Sequence, residues 1–459
     1  MATSDFYTLP LDLSFEQLYA FSLSYFGCVF LQDNDCPILA CLPKTLWHIS
    51  KNKTYQRQLD FSYQCEACDA SPLENHPPLL PQRSDLDFNG FMGGYIAFFS
   101  YDYAANLSIQ NHAALSPAAL IGEYDFFFRK TNDIWQLYFS TELHHTLALN
   151  DFIAQLHNIN NTHTAQKQLF QLSSTMQARW QKNEYQHAFT QVQDYLKAGD
   201  CYQVNLTQEF YSNIKTGRLA YLYSELTQLT QAPYAGYWSI DDFELLSCSP
   251  ELFIEFQAQG KLVTRPIKGT LPRHNDPTQD DRQKNSLANS EKDRAENVMI
   301  VDLLRNDLGI YAKNGSVKVP KLFEIESFAQ VHHLVSEVQA TLKADIHPLQ
   351  VLAATLPGGS ITGAPKIRAM QIIEELEGSP RGAYCGSLGY LNYDGTGRFN
   401  ILIRTLQRYG DRLSVWAGGG ITIASELESE YQECLDKVSA MLKLLDQYAI
   451  AEDSSGLNA

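Results

Sequence analysis

Acidic side chains recur at helical spacing in two parts of the chain. Glu430, Glu433 and Lys437 stand at i, i+3 and i+7, while Asp293 and Glu296 stand at i and i+3. Residues at these spacings share one face of an α-helix, so both segments predict helices with carboxylates on one side. Oxygen ligands without histidine or cysteine favour Mg²⁺, which often takes only one or two protein carboxylates directly. The alternative is two solvated acidic helix faces, and spacing alone does not separate the two interpretations.

Lys268 lies beside a glycine at the end of a predicted strand. A lysine amine becomes nucleophilic only when burial or neighbouring positive charge lowers its pKa from about 10.4. An exposed lysine at a strand end would have no such role. The segment alone leaves both interpretations open.

Two glycine-rich segments could bring backbone N–H groups to an anion. Residues 358–366 (Gly-Gly-Ser-Ile-Thr-Gly-Ala-Pro-Lys) open a predicted helix, with Pro365 suited to its first turn. They lack the Gly-Lys-Ser/Thr of a P-loop, which argues against nucleoside triphosphate binding. Residues 417–420 (Ala-Gly-Gly-Gly) follow a predicted strand, where a ligand could approach the backbone closely or the chain could simply turn.

Composition restricts the partners and the compartment. The 459 residues carry a net charge of -17, which disfavours nucleic acid and anionic lipid, so a small anion would need cations gathered locally. The N-terminus does not resemble a signal peptide, and no apolar run approaches membrane-spanning length. Nine scattered cysteines fit reduced thiols in the cytoplasm. Cys65 and Cys68 have the spacing of half a zinc site, but without a second pair we predict a loop with two thiols.

The elements that must position these residues follow from periodicity and turn signals. A sheet-rich lobe is predicted over 1–170 and a mixed lobe over 183–446, joined by a polar linker at 158–171. Helices are predicted at 185–196, 290–307, 348–355, 365–377 and 427–446, and strands at 202–208, 244–256, 261–267, 384–393, 399–407 and 413–417.

Together these segments resemble the chorismate-utilising family, which includes anthranilate, isochorismate and salicylate synthases. The resemblance runs across residues 90–445 and includes residues 199–206 (Gly-Asp-Cys-Tyr-Gln-Val-Asn-Leu) and 302–307 (Asp-Leu-Leu-Arg-Asn-Asp). Several such motifs in order are highly specific. The family fold that they imply is an α/β body with two large, mostly antiparallel sheets packed face to face and helices outside.

The resemblance also implies a metal site. Glu296 and Glu433 would hold Mg²⁺ directly, while Asp293 and Glu430 assist. The family more often has glutamate at the position of Asp293. Mg²⁺ would bind the ring carboxylate of chorismate and act as a Lewis acid.

Contacts to the substrate are implied for five further residues. Arg404 and Tyr384 match contacts to the enolpyruvyl carboxylate of chorismate, aided by N–H groups near Gly419 and Gly420. Lys437 would neutralise the ring carboxylate together with the metal. Local cations of this kind would allow a chain of charge -17 to bind a dianion.

The resemblance also implies an acid and two further polar contacts at the ring. Glu251 matches the general acid of the family, which protonates the departing 4-hydroxyl because hydroxide is a poor leaving group. His333 matches an active-site histidine, and Ser360 matches a hydroxyl contact.

Two positions distinguish reactions within the family. Members that add water have a lysine base where this chain has Gln203, so ammonia is the predicted nucleophile. Anthranilate synthases have alanine in place of Lys268, whereas members that aminate chorismate at carbon 4 have Pro-Ile-Lys-Gly-Thr, as at 266–270 here. In those members the lysine is thought to attack carbon 2 and ammonia then attacks carbon 4. The expected product is 4-amino-4-deoxychorismate.

Ammonia in this family normally comes from a separate glutamine amidotransferase subunit, and such a partner is expected here. No Cys-His-Glu glutaminase domain fits beside residues 183–446, and residues 1–170 show no nucleophile elbow. The alternatives are an anthranilate synthase, against which Lys268 argues, and a non-catalytic chorismate-binding subunit. Intact Glu251, Lys268, Glu296 and Glu433 argue against the second alternative.

Overall fold

The computed structural model describes residues 6–33, 36–68, 71–80, 90–112, 117–159, 170–327 and 331–450. Most of the predicted linker at 158–171 lies outside these residues. The helices of the described residues are α1 (Phe15–Ser22), α2 (Tyr101–Asn106), α3 (Leu147–His157), α4 (Lys182–Ala198), α5 (Tyr223–Thr230), α6 (Pro277–Ala288), α7 (Glu291–Gly309), α8 (Pro348–Thr355), α9 (Lys366–Glu377) and α10 (Leu427–Asp446). None of them is both long and apolar enough to cross a membrane.

The strands of the described residues follow in chain order. They are β1 (Phe6–Leu11), β2 (Val29–Leu31), β3 (Ile38–Ala40), β4 (Thr45–His48), β5 (Lys53–Arg57), β6 (Tyr63–Ala67), β7 (Gly94–Phe99), β8 (Ala119–Tyr124), β9 (Phe126–Thr131), β10 (Ile134–Ser140), β11 (Gln171–Leu172), β12 (Gln177–Ala178), β13 (Gln203–Thr216), β14 (Tyr234–Ile240), β15 (Phe243–Ser249), β16 (Leu252–Gln257), β17 (Lys261–Thr264), β18 (Ile267–Pro272), β19 (Lys318–Ser327), β20 (Val331–Thr341), β21 (Gly363–Ala364), β22 (Ser387–Asn392), β23 (Gly397–Asn400), β24 (Thr405–Tyr409) and β25 (Arg412–Thr422).

Two large antiparallel sheets form the body of the protein, as predicted. One has the order β1-β10-β9-β3-β2-β14-β15-β24-β25-β13-β11, with β12 and β21 also paired to β13. The other has the order β18-β20-β17-β16-β23-β22-β7-β8-β4-β5-β6, with β19 paired to β20. Strands from 1–170 and from 183–446 are neighbours in both sheets, through β2 with β14 and β7 with β22.

The core lies between the sheets and beneath the helices. Apolar side chains of both sheets meet face to face, and the rings of Phe98 and Phe243 lie 5.4 Å apart across this interface. Helices cover the outer faces of the sheets. The apolar residues of each helix recur at helical spacing, so they form one apolar side that packs against a sheet. In α10 the buried stripe includes Glu430, Cys434 and Val438. Glu433 and Lys437 therefore stand at its edge.

Three predicted strands are interrupted where the site residues lie. The predicted strand 244–256 is two strands, β15 and β16, separated by Pro250 and Glu251, since proline cannot donate a ladder hydrogen bond. The predicted strand 399–407 breaks between β23 and β24, where Arg404 has a φ of 51°. The segment 261–267 ends at Thr264, and Lys268 belongs to the separate strand β18. Pro365 precedes α9 as its N-cap and is not inside the first turn.

All nine cysteines are free thiols in the structure. Cys65 lies in β6 and is exposed, so it is in a strand where a loop was predicted. No group of three or more histidine, cysteine or acidic side chains converges on a metal position within the described ranges.

Candidate active site

A cavity of about 830 Å³ opens between the strand ends and the helices α7 and α10. The structure brings thirteen of the fourteen predicted site residues to its wall. They are Glu251, Lys268, Asp293, Glu296, His333, Ser360, Tyr384, Arg404, Gly419, Gly420, Glu430, Glu433 and Lys437. The segments that supply them are far apart in the sequence, so the cavity exists only in the folded chain.

The exception is Gln203, the first residue of β13. Its side chain is fully buried and does not line the cavity. It lies behind Gly420, where an added Cβ would stand 2.5 Å from Nε2 of Gln203. Neither amide atom of Gln203 has a hydrogen-bond partner. Gln203 is therefore the one predicted site residue that the structure places behind the cavity wall, and its contact with substrate stays a prediction.

Helices α7 and α10 bring to the cavity the four carboxylates that were predicted to hold a metal. α7 begins after Ser290, whose hydroxyl accepts the N–H of Asp293, so its acids fall in the first turns. Glu430 is buried, and one of its oxygens accepts the Ser425 hydroxyl at 2.6 Å. Lys437 Nζ lies 2.8 Å from Glu433 Oε1. It also donates to the carbonyl oxygen of Gly418 at 2.8 Å.

These carboxylates fit Mg²⁺ in their chemistry. All four donors are hard oxygens, and a Cβ at Gly419 would lie 3.2 Å from Glu430 Oε2 and 3.6 Å from Glu433 Oε1. Within the described residues, no three of these carboxylates converge on one point. Mg²⁺ does not require this, because it keeps several waters and often takes one or two carboxylates directly.

Lys268 and Glu251 both line the cavity, and burial shifts the pKa of each. Burial lowers the pKa of Lys268, while the carboxylates of Glu296 and Glu251 oppose that shift. Burial raises the pKa of Glu251 to about 7, against the opposing effect of the Lys268 charge. Lys268 Nζ lies 3.4 Å from the carbonyl oxygen of Ser360. Burial thus favours a neutral amine beside a protonated acid, which is the pairing that nucleophilic and general acid catalysis require.

Gly269 allows β18 to pass this close to α7. Its φ is 73°, a conformation that favours glycine. An added Cβ would lie 2.7 Å from Leu287 Cδ1 and 2.9 Å from the carboxyl carbon of Asp293. The glycine next to Lys268 is therefore a packing requirement of the site.

Arg404 is a cation without a carboxylate partner among the described residues. Its guanidinium is half-buried at the cavity, and desolvation lowers its pKa. The φ of 51° is strained for a residue with a side chain, and such strain concentrates at functional sites. Tyr384 lies at the same wall, stacked on Trp416 with ring centroids 6.3 Å apart. The arrangement can bind a carboxylate against an aromatic wall.

His333 is neutral at physiological pH. Burial, and then the charge of Arg404, lower its pKa to about 4. Its Nδ1 lies 2.8 Å from Oγ1 of Thr270. A neutral imidazole at this position can donate or accept a hydrogen bond but adds no charge to the site.

The motifs missed several cavity residues. Thr270, Asn205, Lys292 and Trp416 also line it. Lys292 Nζ lies 3.6 Å from Glu430 Oε1, so it shares the charge of the acidic cluster. A signal for Lys292 was present, since it directly precedes Asp293 at the start of α7, but an exposed lysine beside acids is the commonest surface pattern.

Comparison with known proteins shows the family of the chain. The family model for chorismate binding enzymes matches residues 32–443. The chain therefore belongs to the chorismate-binding enzymes.

Individual proteins resemble the chain over most of its length. The chain is 43% identical over 364 residues to aminodeoxychorismate synthase component 1 of Escherichia coli K12, covering 78% of each protein. It is 44% identical over 362 residues to the protein of the same name from Klebsiella aerogenes, again covering 78% of each. Among solved structures, it resembles anthranilate synthase component I from Streptococcus pneumoniae TIGR4, with a TM-score of 0.74, 26% identity and coverage of 89% and 92% of the two chains.

Proposed function

We propose that the protein aminates chorismate at carbon 4 and forms 4-amino-4-deoxychorismate, the step from chorismate towards 4-aminobenzoate and folate. The observation that carries the proposal is the pair of Lys268 and Glu251, held in one cavity with pKa values shifted by burial. The names of the two curated relatives support the same activity.

The substrate is held through its two carboxylates. Arg404 binds the enolpyruvyl carboxylate, helped by Tyr384 and by backbone N–H groups near Gly419 and Gly420. Lys437 binds the ring carboxylate. Ser360 and His333 contact the hydroxyl region of the ring. The guanidinium of Arg404 supports this orientation, because it is desolvated, has no carboxylate partner in the part of the chain that the structure describes, and so favours an anionic ligand.

The covalent step uses Lys268 and Glu251. The neutral amine of Lys268 attacks carbon 2, the ring double bonds shift, and the 4-hydroxyl departs as water after Glu251 donates its proton. Ammonia then attacks carbon 4, the double bonds shift back, and the bond from carbon 2 to Lys268 breaks, which releases the neutral amine. The new ammonium group at carbon 4 loses a proton to Glu251, which restores the acid. Two easier displacements replace one difficult displacement, which is the usual gain from covalent catalysis.

Mg²⁺ is part of the proposal. Glu296 and Glu433 would hold it, with Asp293 and Glu430 assisting. When bound, the ion supplies a Lewis acid at the ring carboxylate. It also compensates the repulsion among four neighbouring carboxylates, which Lys292 and Lys437 only partly offset in the structure.

Ammonia is proposed to come from a separate glutamine amidotransferase subunit. The term component 1 in the names of the relatives is consistent with a second component. We place the enzyme in the cytoplasm. Nine unpaired thiols, six of them buried, support a reducing compartment.

Anthranilate synthase is the second candidate, because the solved structure reported above has that activity in its name. Lys268 at the cavity wall favours amination at carbon 4, since direct attack by ammonia at carbon 2 needs no lysine nucleophile.

Product identification tests the proposal. The purified chain is incubated with chorismate, MgCl2 and ammonium salt, and products are separated before and after addition of an aminodeoxychorismate lyase. We expect 4-aminobenzoate only when the lyase is present. Anthranilate or isochorismate formed without the lyase would contradict amination at carbon 4, and no turnover would favour a non-catalytic subunit.

A further inference from the structure

A buried ionic cluster lies directly behind the cavity. Arg381 and Glu377 are 1% and 2% exposed, and neither lines the cavity. The guanidinium donates to both oxygens of Glu377, at 2.7 and 2.8 Å. Asp102 accepts the backbone N–H groups of Arg381 and Gly382, at 3.1 and 2.7 Å. None of these residues has a role in the proposed reaction.

The same guanidinium binds two carbonyl groups of cavity residues. Arg381 Nη2 donates to the carbonyl oxygen of Asn205 at 2.7 Å, and Nη1 donates to that of Ile361 at 3.3 Å. The side chain of Asn205 donates to the same Ile361 oxygen at 2.9 Å. Strand β13 is thereby joined to the 359–361 turn, whose Ser360 carbonyl accepts Lys268 Nζ. A chain of direct contacts connects Arg381 to the proposed nucleophile.

Further contacts of Glu377 and Arg381 join α9 to β13 and pack against two tyrosine rings. Glu377 accepts the backbone N–H and the hydroxyl of Thr207, at 3.0 and 2.8 Å, which joins the end of α9 to β13. The Arg381 guanidinium carbon lies 4.7 Å from the ring centre of Tyr101 and 5.8 Å from that of Tyr384. A planar guanidinium can make all these contacts at once, whereas a lysine ammonium cannot.

We propose that Arg381 is a positioning residue, which aligns Asn205, the Ser360–Ile361 turn and Tyr384 for the reaction at Lys268. This inference rests on the proposed function. An ion pair that only stabilised the fold would not need to engage the carbonyl groups of two cavity residues. Its loss would lower stability and leave turnover by the remaining folded protein unchanged.

The main test is Arg381→Lys. The lysine keeps a positive charge opposite Glu377 but lacks the planar guanidinium group, which binds several acceptors at once. We expect kcat to fall about 10- to 100-fold, with a smaller change in KM for chorismate, because misplacement of reacting groups acts on the chemical step. Arg412→Lys is the matched control. Arg412 also binds both oxygens of a glutamate, Glu209, and its guanidinium lies over the ring of Tyr211; neither of these two residues lines the cavity. We expect it to keep the wild-type kcat.

Chemical rescue gives a second measurement. Arg381→Ala should regain activity with guanidinium chloride, at concentrations that leave the wild type folded, and not with sodium chloride. If that variant does not fold, Arg381→Lys decides the question alone.

A third measurement does not depend on the reaction. Hydrogen exchange of a peptide spanning 356–364 should be faster in Arg381→Lys than in wild type and unchanged in Arg412→Lys. Wild-type protein without turnover would contradict the proposed function but leave this comparison intact. Unchanged exchange in that peptide, or an unchanged kcat in an active preparation, would overturn the positioning role.

Discussion

Burial moves the pKa values of Glu251 and Lys268 towards each other. The pKa of the Glu251 carboxyl is raised to about 7 and that of the Lys268 amine is lowered, and these directions favour a protonated acid and a neutral nucleophile. A glutamate or a lysine in a sequence does not by itself predict such a pKa shift. It follows from a cavity in which desolvation outweighs the attraction between the two charges.

The pH dependence of turnover follows from Glu251. Only its protonated carboxyl can donate to the departing hydroxyl, and its pKa lies at about 7. We therefore expect kcat to fall as pH rises through about 7, and the residual activity of Glu251→Gln to lack this fall. The measurement is kcat against pH at saturating chorismate and ammonium salt. A falling limb that persists in Glu251→Gln would assign the titration to another group.

Removal of a proposed metal ligand is the second test at this scale. Glu433→Ala should weaken the activation by Mg²⁺ at least about tenfold, because one direct carboxylate is lost. Activity and calorimetric heat are titrated with MgCl2. Glu428→Ala is the control, since Glu428 lies five residues earlier in α10 and pairs with Lys182 at the surface. Equal Mg²⁺ dependence in the two variants would remove the metal assignment of Glu433.

At the scale of the element, interruptions in strands bring the chemistry to the cavity. Glu251 follows the end of β15, and Arg404 precedes β24. Periodicity could not locate these breaks, because alternation of apolar residues continues on both sides of them. Lys268 remains in a strand, but in one that needs Gly269 to pass α7.

Gly269→Ala tests this packing. The substitution places a Cβ at a φ of 73° and within 3 Å of Leu287 and Asp293, so we expect a loss of about 1–3 kcal/mol in unfolding free energy and a lower kcat. Gly410→Ala is the matched control, because its φ is 58° and no heavy atom lies within 4 Å of the added Cβ. Urea unfolding and turnover are compared. Equal effects in both variants would show that backbone strain alone acts at Gly269.

At the scale of the whole molecule, the order of the sequence motifs predicted more of the site than the periodicity of apolar residues did. Glu296 and Glu433 were placed at one site because helical spacing and a family resemblance agree, and α7 and α10 do face one cavity. Gln203 lies behind Gly420 and does not line the cavity, and the sequence could not predict this because the position depends on how two strands pair. Arg381 was missed altogether. With Glu377 it forms an i, i+4 pair typical of an exposed helix, and only the fold reveals its contacts with Asn205 and Ile361.

The two sheets are also joined by a buried ion pair. Asp33 follows β2 in one sheet and is 4% exposed, while Arg398 lies in β23 of the other. Arg398 Nη1 donates to Asp33 Oδ1 at 3.2 Å, and Tyr390 donates to Oδ2 at 2.9 Å. Burial raises the pKa of Asp33, and the Arg398 charge opposes that shift. The pair thus holds a desolvated carboxylate between the sheets.

Arg398→Met should therefore destabilise the whole molecule. Removal of one partner leaves the other charge buried, and we expect a loss of about 3–5 kcal/mol in unfolding free energy, measured in urea. The double variant Asp33→Asn/Arg398→Met should recover part of this loss, because the buried Asp33 charge is gone. The recovery stays partial, since Glu255 also pairs with Arg398, at 3.1 Å, and loses that partner in both variants. A single variant as stable as wild type would show that the pair does not join the sheets energetically.

The covalent role of Lys268 is the central claim, and intact-mass spectrometry tests it most directly. Wild-type protein is mixed with chorismate and MgCl2 without ammonia, quenched in acid, and compared with Lys268→Met treated in the same way. The account predicts a wild-type species heavier by chorismate less one water, absent from Lys268→Met and lost when ammonium salt is added before the quench. An adduct of the same mass in Lys268→Met, or full amination by that variant, would contradict it.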